Sequence, residues 1–227
     1  MKVKSLHSWD VSPKEAAKIQ TNLAGKISCN FKRDNIRIIA GADVSFDKGL
    51  PINAYAGVVI MEVPSLETVA EFTSREAVRF PYIPGLLSFR EAPILLSLFK
   101  KISPAPDLIF FDGHGIAHPR RLGLASHMGL HLDRPTVGCA KSKLTGNYRE
   151  PGIRKESSSL LLDSENQTIG AVIRTRENCK PIFVSVGHQI DLGNAVKFTL
   201  QCATRYRIPE PTRRAHNLVT QFRKSFA

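Results

Sequence analysis

One run in this chain cannot sit at a surface. Between Asp107 and Asp112 lie Leu108, Ile109, Phe110 and Phe111, with no polar residue to alternate with them. A strand with one wet face alternates apolar and polar residues, whereas one buried on both faces does not. The run therefore requires a sheet covered by helices on both sides. The flanking sequence supplies the remaining layers. Arg37–Phe46, Ala54–Val63 and Thr68–Ala77 read as strands, and Pro64-Ser65 supplies a turn, so these segments predict an antiparallel meander. Asp107–Asp112 and Thr136–Lys141 read as a fourth and fifth strand, and Ala171–Arg174 with Ile182–Val186 as a later hairpin. Helices are expected over Pro13–Lys26 behind an N-cap Ser12, and over Ser88–Ile102 behind an S-x-x-E capping box of Ser88 and Glu91. Further helices are expected over Gly123–His131, from Asp191 through Ala203, and from a capping Thr212 through Lys224. A meander followed by alternating helix and strand describes an α/β fold, a mixed β-sheet flanked by helices.

The 227 residues are 42% hydrophobic, enough for one domain over residues 1–227 and little room for two. Lys and Arg number 32 against 20 Asp and Glu, a formal net charge of +12 that favours a polyanionic partner. Arginines and lysines gather near the candidate site and at the C-terminus, which turns the charge toward nucleic acid rather than solubility alone. No segment joins helical amphipathicity to a dense lysine run, so a membrane partner is not expected. Cys29, Cys139, Cys179 and Cys202 form no CxxC, which points to a reducing compartment without a zinc cluster. The opening MKVKSLHSWD lacks the apolar core of a signal peptide, and no apolar stretch is long enough to span a bilayer. The expected location is cytoplasmic and the expected state a monomer, since no coiled coil is visible.

Asp43 follows the β-favouring run IRIIAGA, and Asp112 follows LIFF and precedes glycine. Either one alone would pass for a turn or cap residue. Two carboxylates that a mixed sheet can set side by side repel each other, and a divalent cation relieves the repulsion. Both are therefore expected to be metal ligands in a metal-dependent nuclease. Glu91 is explained equally well by the capping box and by a place in the site. Tyr82 stands in FPYIPG, between Pro81 and Pro84, which stiffen the loop, and ahead of Gly85, which permits close backbone approach. It reads either as packing in a rigid turn or as an aromatic wedge between bases. Lys141 follows a strand end and could hold a phosphate, or could be a solvated loop lysine. Arg120 and Arg121 are candidates for phosphate contacts. His127 and His131 stand at i,i+4, as zinc-binding histidines do, but without a neighbouring Cys or an HExxH glutamate they read as surface and packing residues. His216 lies beside Arg213 and Arg214, where a metal-ligand or water-orienting role is open to it.

In this order, GADVSF, FPYIPGLLSFRE, DGHGIAHPRRLGLASHMG, GCAKSKLTG and RRAHNLV resemble the endonuclease V family of deoxyinosine-specific repair nucleases. The resemblance runs from about Ser12 to Lys224. It implies a ribonuclease H-like fold and Mg²⁺-dependent hydrolysis, with Mn²⁺ as a substitute, of the second phosphodiester bond 3′ to a deaminated adenine. The products would carry 3′-hydroxyl and 5′-phosphate ends. The implied partner is double- or single-stranded DNA containing deoxyinosine, with RNA as an open alternative. It implies Asp43, Asp112, Glu91 and His216 at the metal, Lys141 near the cleaved phosphate, and Tyr82 as wedge on the Pro81–Ile83–Pro84 loop. Gly85, Leu87, Gly113, Leu124 and Leu144 fall in segments implied to line the inosine pocket. Two competing readings use the same residues. Another ribonuclease H-like nuclease, such as a junction resolvase, would share the carboxylates but has no need of FPYIPG. A non-enzymatic binder would leave three carboxylates repelling phosphate with no benefit.

Overall fold

The computed structural model describes residues 1–33, 35–49 and 52–226. In chain order the elements are α1 (Pro13–Ala24), β1 (Ile38–Phe46), β2 (Asn53–Glu62), β3 (Thr68–Ala77), α2 (Leu87–Phe99), β4 (Leu108–Phe111) and α3 (Leu124–Leu132). They continue as β5 (Thr136–Ala140), β6 (Ser158–Leu162), β7 (Thr168–Ile173), β8 (Ile182–His188), α4 (Leu192–Cys202) and α5 (Glu210–Lys224). The strands form one eight-stranded mixed sheet in the order β3-β2-β1-β4-β5-β8-β7-β6. The expected meander pairs antiparallel, while β1–β4 and β4–β5 pair parallel.

The apolar run is buried on both faces, as its composition demanded. Ile109 and Phe111 join a core with Ala40, Ala42 and residues of α2 and α3. Leu108 and Phe110 join a second core with Ile39, Val137 and residues of α4 and α5. Asp107 opens the strand by accepting hydrogen bonds from the backbone N–H groups of Arg37 and Ile38, each at 3.0 Å. The predicted hairpin is β7–β8, with Ala171 opposite Val184. The capping predictions at α1 and α4 also hold. Ser12 and Glu15 make a reciprocal capping box, and Asp191 accepts from the Asn194 N–H at 2.9 Å.

Two predicted caps are corrected. The Ser88–Glu91 capping box does not form: α2 begins one residue earlier behind Leu86, with no side-chain cap. The Ser88 hydroxyl instead meets His127 Nδ1 at 3.0 Å, drawn away by a buried partner across the helix pair. Thr212 is not a cap either, because α5 begins at Glu210 with Pro211 inside its first turn. Proline is tolerated there, where its missing N–H would have had no partner. The Thr212 hydroxyl donates to the Pro209 carbonyl at 3.1 Å. The sequence reading also missed β6, an edge strand whose Leu160 faces solvent and whose serines carry no strand signal.

Candidate active site

β1 and β4 run parallel with Ala42 beside Phe111, so the next register step sets Asp43 beside Asp112. Alternation from Ile39 and from Leu108 turns both side chains toward the face that carries α5. Asp43 lies inside β1, opposite Gly57 of β2, as a strand over Arg37–Phe46 requires, and is not a turn or cap residue. Asp112 does follow the last residue of β4.

α5 delivers His216 because the sheet lets it come close. A Cβ on Gly41 would lie 1.9 Å from the Pro211 carbonyl oxygen, so only glycine admits the first turn of α5 at this distance. Ala215 is then buried, and the next residue, His216, reaches Asp43 Oδ2 through Nδ1 at 2.8 Å. Asp43, Asp112 and His216 present ligand atoms that all lie within 4.8 Å of one another. Lys141, one residue past β5, ion-pairs with Asp112.

Glu91 comes from α2 on the opposite face. It is 8% exposed, and among the described residues its carboxylate has no ion-pair partner. Burial, then the charges of Asp43 and Asp112, push its pKa well up, against a smaller pull from Arg90. Burial and then Asp112 likewise raise Asp43, partly offset by His216. Three mutually repelling carboxyls in a desolvated cluster are an arrangement that a cation stabilises. The donor set is mostly carboxylate oxygen, which suits Mg²⁺ and Mn²⁺. The residues therefore fit a hard divalent ion.

A cavity of about 270 Å³ opens beside this cluster. Tyr82, Ile83, Pro84, Gly85, Leu87, Gly113, Leu124 and Leu144 all line it. Pro81 does not: it lines a larger neighbouring groove with Trp9, Phe80 and Arg90. The loop carrying Tyr82 is anchored at both ends. Phe80 and Leu86 are buried, Arg90 donates to the Phe80 carbonyl at 3.0 Å, and the Leu86 N–H donates to the Ile83 carbonyl at 2.9 Å. Tyr82 itself stays 69% exposed. Packing in the turn therefore does not account for the ring.

Gly85, at φ +78°, turns its carbonyl into a hub. Arg120 donates to it at 2.7 Å, His118 Nε2 at 3.0 Å and Gln20 Nε2 at 3.1 Å. His118 Nδ1 accepts from the Arg120 N–H at 3.1 Å, so both ring nitrogens are assigned in the neutral form. Burial, then Arg120, lower the His118 pKa to about 4. Arg120 is thereby committed to the loop, and Arg121 pairs with Asp163, so neither is a free phosphate ligand. Glu210 similarly engages both Arg213 and Arg214. Gln20 and His118 escaped the sequence reading, since their partners lie 65 and 33 residues away. His127 and His131 are buried packing residues, and neither is at the surface.

Residues 21–217 match the Endonuclease V family model. A relative described as Endonuclease V from Kosmotoga olearia is 45% identical over 225 residues, spanning 99% of this chain and 98% of that protein. The endonuclease V structure from Bacillus subtilis superposes with a TM-score of 0.94 at 28% identity, covering 100% of this chain and 98% of that one. The Ciona intestinalis endonuclease V, solved in complex with a 24mer DNA containing an inosine followed by a ribo-adenosine, gives a TM-score of 0.81 at 28% identity, over 94% of this chain and 98% of that one. Sheet, helices and carboxylate cluster together define a nuclease with the ribonuclease H-like fold. Within that class, the chain belongs to the endonuclease V family. Nucleases of this family use a divalent metal ion, and Asp43, Asp112 and His216 could hold one here.

Proposed function

We propose that this chain is a DNA repair endonuclease that recognises deoxyinosine and, with Mg²⁺, hydrolyses the second phosphodiester bond on its 3′ side, leaving 3′-hydroxyl and 5′-phosphate ends. The observation that carries the reading is a shared wall. Asp112 belongs to the carboxylate cluster, and Gly113, the next residue, lines the cavity entered past Tyr82. At about 270 Å³ the cavity lies just below the usual range of ligand sites, roughly 300 to 1,000 Å³, and so suits a single extruded base. The Ciona relative solved with inosine-containing DNA supports the choice of base.

The roles follow from residue chemistry. Asp43, Asp112 and Glu91 hold the divalent ion, with His216 orienting Asp43 or joining the ligands. The ion, when bound, supplies positive charge to the phosphate oxygens and activates water. Lys141 leaves Asp112 part of its charge to share with the phosphate as negative charge builds there. Leu87, Leu124 and Leu144 give the base an apolar wall. Hypoxanthine lacks the amino group of guanine, so a tight pocket with no acceptor at that edge prefers it. Tyr82 fills the place the base leaves, on the loop formed by Pro81, Ile83 and Pro84.

Tyr82→Ala is expected to weaken binding of an inosine duplex by about 10- to 100-fold, in line with stacking worth ~1–3 kcal/mol per base. Its turnover at saturation should fall much less, because the ring touches no reacting atom. Equal Kd values for wild type and Tyr82→Ala in a fluorescence titration would remove the wedge.

An end-labelled duplex with one deoxyinosine, incubated with Mg²⁺ or with EDTA beside an undamaged control, tests the function itself. A metal-dependent nick one nucleotide beyond the lesion is the expected result. Equal cutting of both duplexes would discard the inosine pocket. The ribo-adenosine beside the inosine in the Ciona complex favours a second reading, inosine in RNA. The same assay on a single-stranded RNA with one inosine separates the two.

A further inference from the structure

Three histidines gather beside the first turn of α2, in a group distinct from Asp43, Asp112 and His216. His127 and His131 come from α3, and His7 comes from the segment before α1. His127 is 0% exposed and His131 1%. Trp9 closes over all three rings, with centroids 4.4 Å from His7 and 5.1 Å from each of the other two. Phe89 lies 5.5 Å from His7 and 5.2 Å from His127.

The outer nitrogens fix how the inner ones point. His131 Nδ1 meets the Lys4 carbonyl at 2.7 Å, and His7 Nδ1 meets the Ser8 carbonyl at 2.7 Å. A carbonyl only accepts, so both Nδ1 atoms carry the proton and both Nε2 atoms present lone pairs when the rings are neutral. Those lone pairs face each other at 3.3 Å. His127 Nε2 stands 2.7 Å from His7 Nε2 and can lend one proton there, if Ser88 donates to its Nδ1. The His131 lone pair is still left opposed. Charging an imidazole at this depth is disfavoured by desolvation.

We propose that His7, His127 and His131 form a second cation site, separate from the carboxylate cluster, that takes a zinc-type transition-metal ion through their three Nε2 atoms. Imidazole nitrogens select Zn²⁺, Co²⁺ or Ni²⁺ over Mg²⁺. Tetrahedral ligands at 2.0–2.1 Å from zinc stand about 3.3 Å apart, which is the His7–His131 spacing. The His7–His127 pair, at 2.7 Å, would open slightly as its shared proton leaves. Each ring already has the outer hydrogen bond that orients a metal-binding histidine. The ion would tie the N-terminal segment to α3 and, through Ser88, to the first turn of α2. Only the third ligand was missing from the i,i+4 pair, and it lies 120 residues away in sequence.

The test uses the full chain carrying Asp43→Ala, Glu91→Gln and Asp112→Ala, so that the carboxylate cluster keeps no carboxylate to bind metal. After EDTA treatment and dialysis, Co²⁺ and Zn²⁺ are titrated in turn. One equivalent of Co²⁺ should bind with the visible absorption of a four-coordinate ion, Zn²⁺ should displace it and raise Tm by several degrees, and Mg²⁺ should do neither. His131→Phe, which fills the ring's place, and His7→Gln should each weaken Co²⁺ binding by about 100-fold or more. No absorption change in the parent protein would overturn the proposal. So would unchanged Co²⁺ binding in His7→Gln, the variant that leaves the buried helix intact.

Discussion

Asp112→Ala is expected to lower cleavage of an inosine duplex by about 10³-fold, a loss of ~4 kcal/mol in transition-state stabilisation, while the protein stays folded. Asp43→Ala should behave alike, since the two residues occupy one register step of adjacent parallel strands. The informative companion is Glu91→Gln. Glu91 is a buried carboxyl pressed by two others, with burial and both charges opposing its ionisation. Replacing it with a neutral amide removes that repulsion, so in EDTA the variant should melt higher than wild type. With saturating Mg²⁺ the advantage should shrink or reverse, because the wild-type carboxyl then has a cation to hold. Activity lost together with stability gained is the signature of a site kept in tension for function. Calorimetry in EDTA and in Mg²⁺, beside the cleavage assay, reads both. Wild-type cleavage by Asp112→Ala would overturn the metal-site assignment. A Glu91→Gln variant less stable than wild type in EDTA would show that the cluster is not strained by charge.

Much of this arrangement was legible in the sequence, and for identifiable reasons. LIFF has a single physical solution, burial on both faces, and the strand receives it. Asp43 and Asp112 could be paired because neighbouring strands of a mixed sheet can set two carboxylates side by side, as the parallel register of β1 and β4 does. The proline-framed loop announced its stiffness, and Gly85, Leu87, Gly113, Leu124 and Leu144 do share one cavity behind it. Glu91 was undecided between a cap and the site, and the structure removes the first alternative by giving Ser88 to His127. What stayed hidden depends on partners distant in the chain. Nothing near Gln20 foretells the Gly85 carbonyl, and nothing near His7 foretells α3. Arg120 and Arg121 looked like phosphate ligands because composition shows charge but not the acceptor that already holds it.

Gly41 is the position where a single methyl group should do the most damage. It lies two residues before Asp43, on the same face of β1, and α5 crosses directly above it. A Cβ there would meet the Pro211 carbonyl oxygen at 1.9 Å, its carbon at 2.1 Å and its Cα at 2.8 Å, all backbone atoms that no rotamer change can move. The first turn of α5 would have to lift off the sheet. Gly41→Ala is therefore expected to destabilise the protein by about 3 kcal/mol or more, which lowers Tm by roughly 6–12 °C in a chain of this size. Gly57, under the same helix, supplies the control. A Cβ there meets the Val219 side chain at 3.1 Å and backbone atoms of Ala215 and Val219 at 3.2 Å, a contact that shifts of a few tenths of an ångström absorb. Gly57→Ala should therefore be markedly milder. The two substitutions also separate stability from chemistry. Lifting the first turn of α5 carries His216 away from Asp43, a contact of 2.8 Å, so Gly41→Ala should lose turnover even at temperatures where it is fully folded. Gly57→Ala presses on Val219 and on the Ala215 carbonyl only at 3.1–3.2 Å, which small shifts absorb, and should lose far less turnover. If both variants melt within a degree of wild type, α5 does not seat on β1 through Gly41. If Gly41→Ala melts low yet turns over normally when folded, the position of His216 does not govern the reaction.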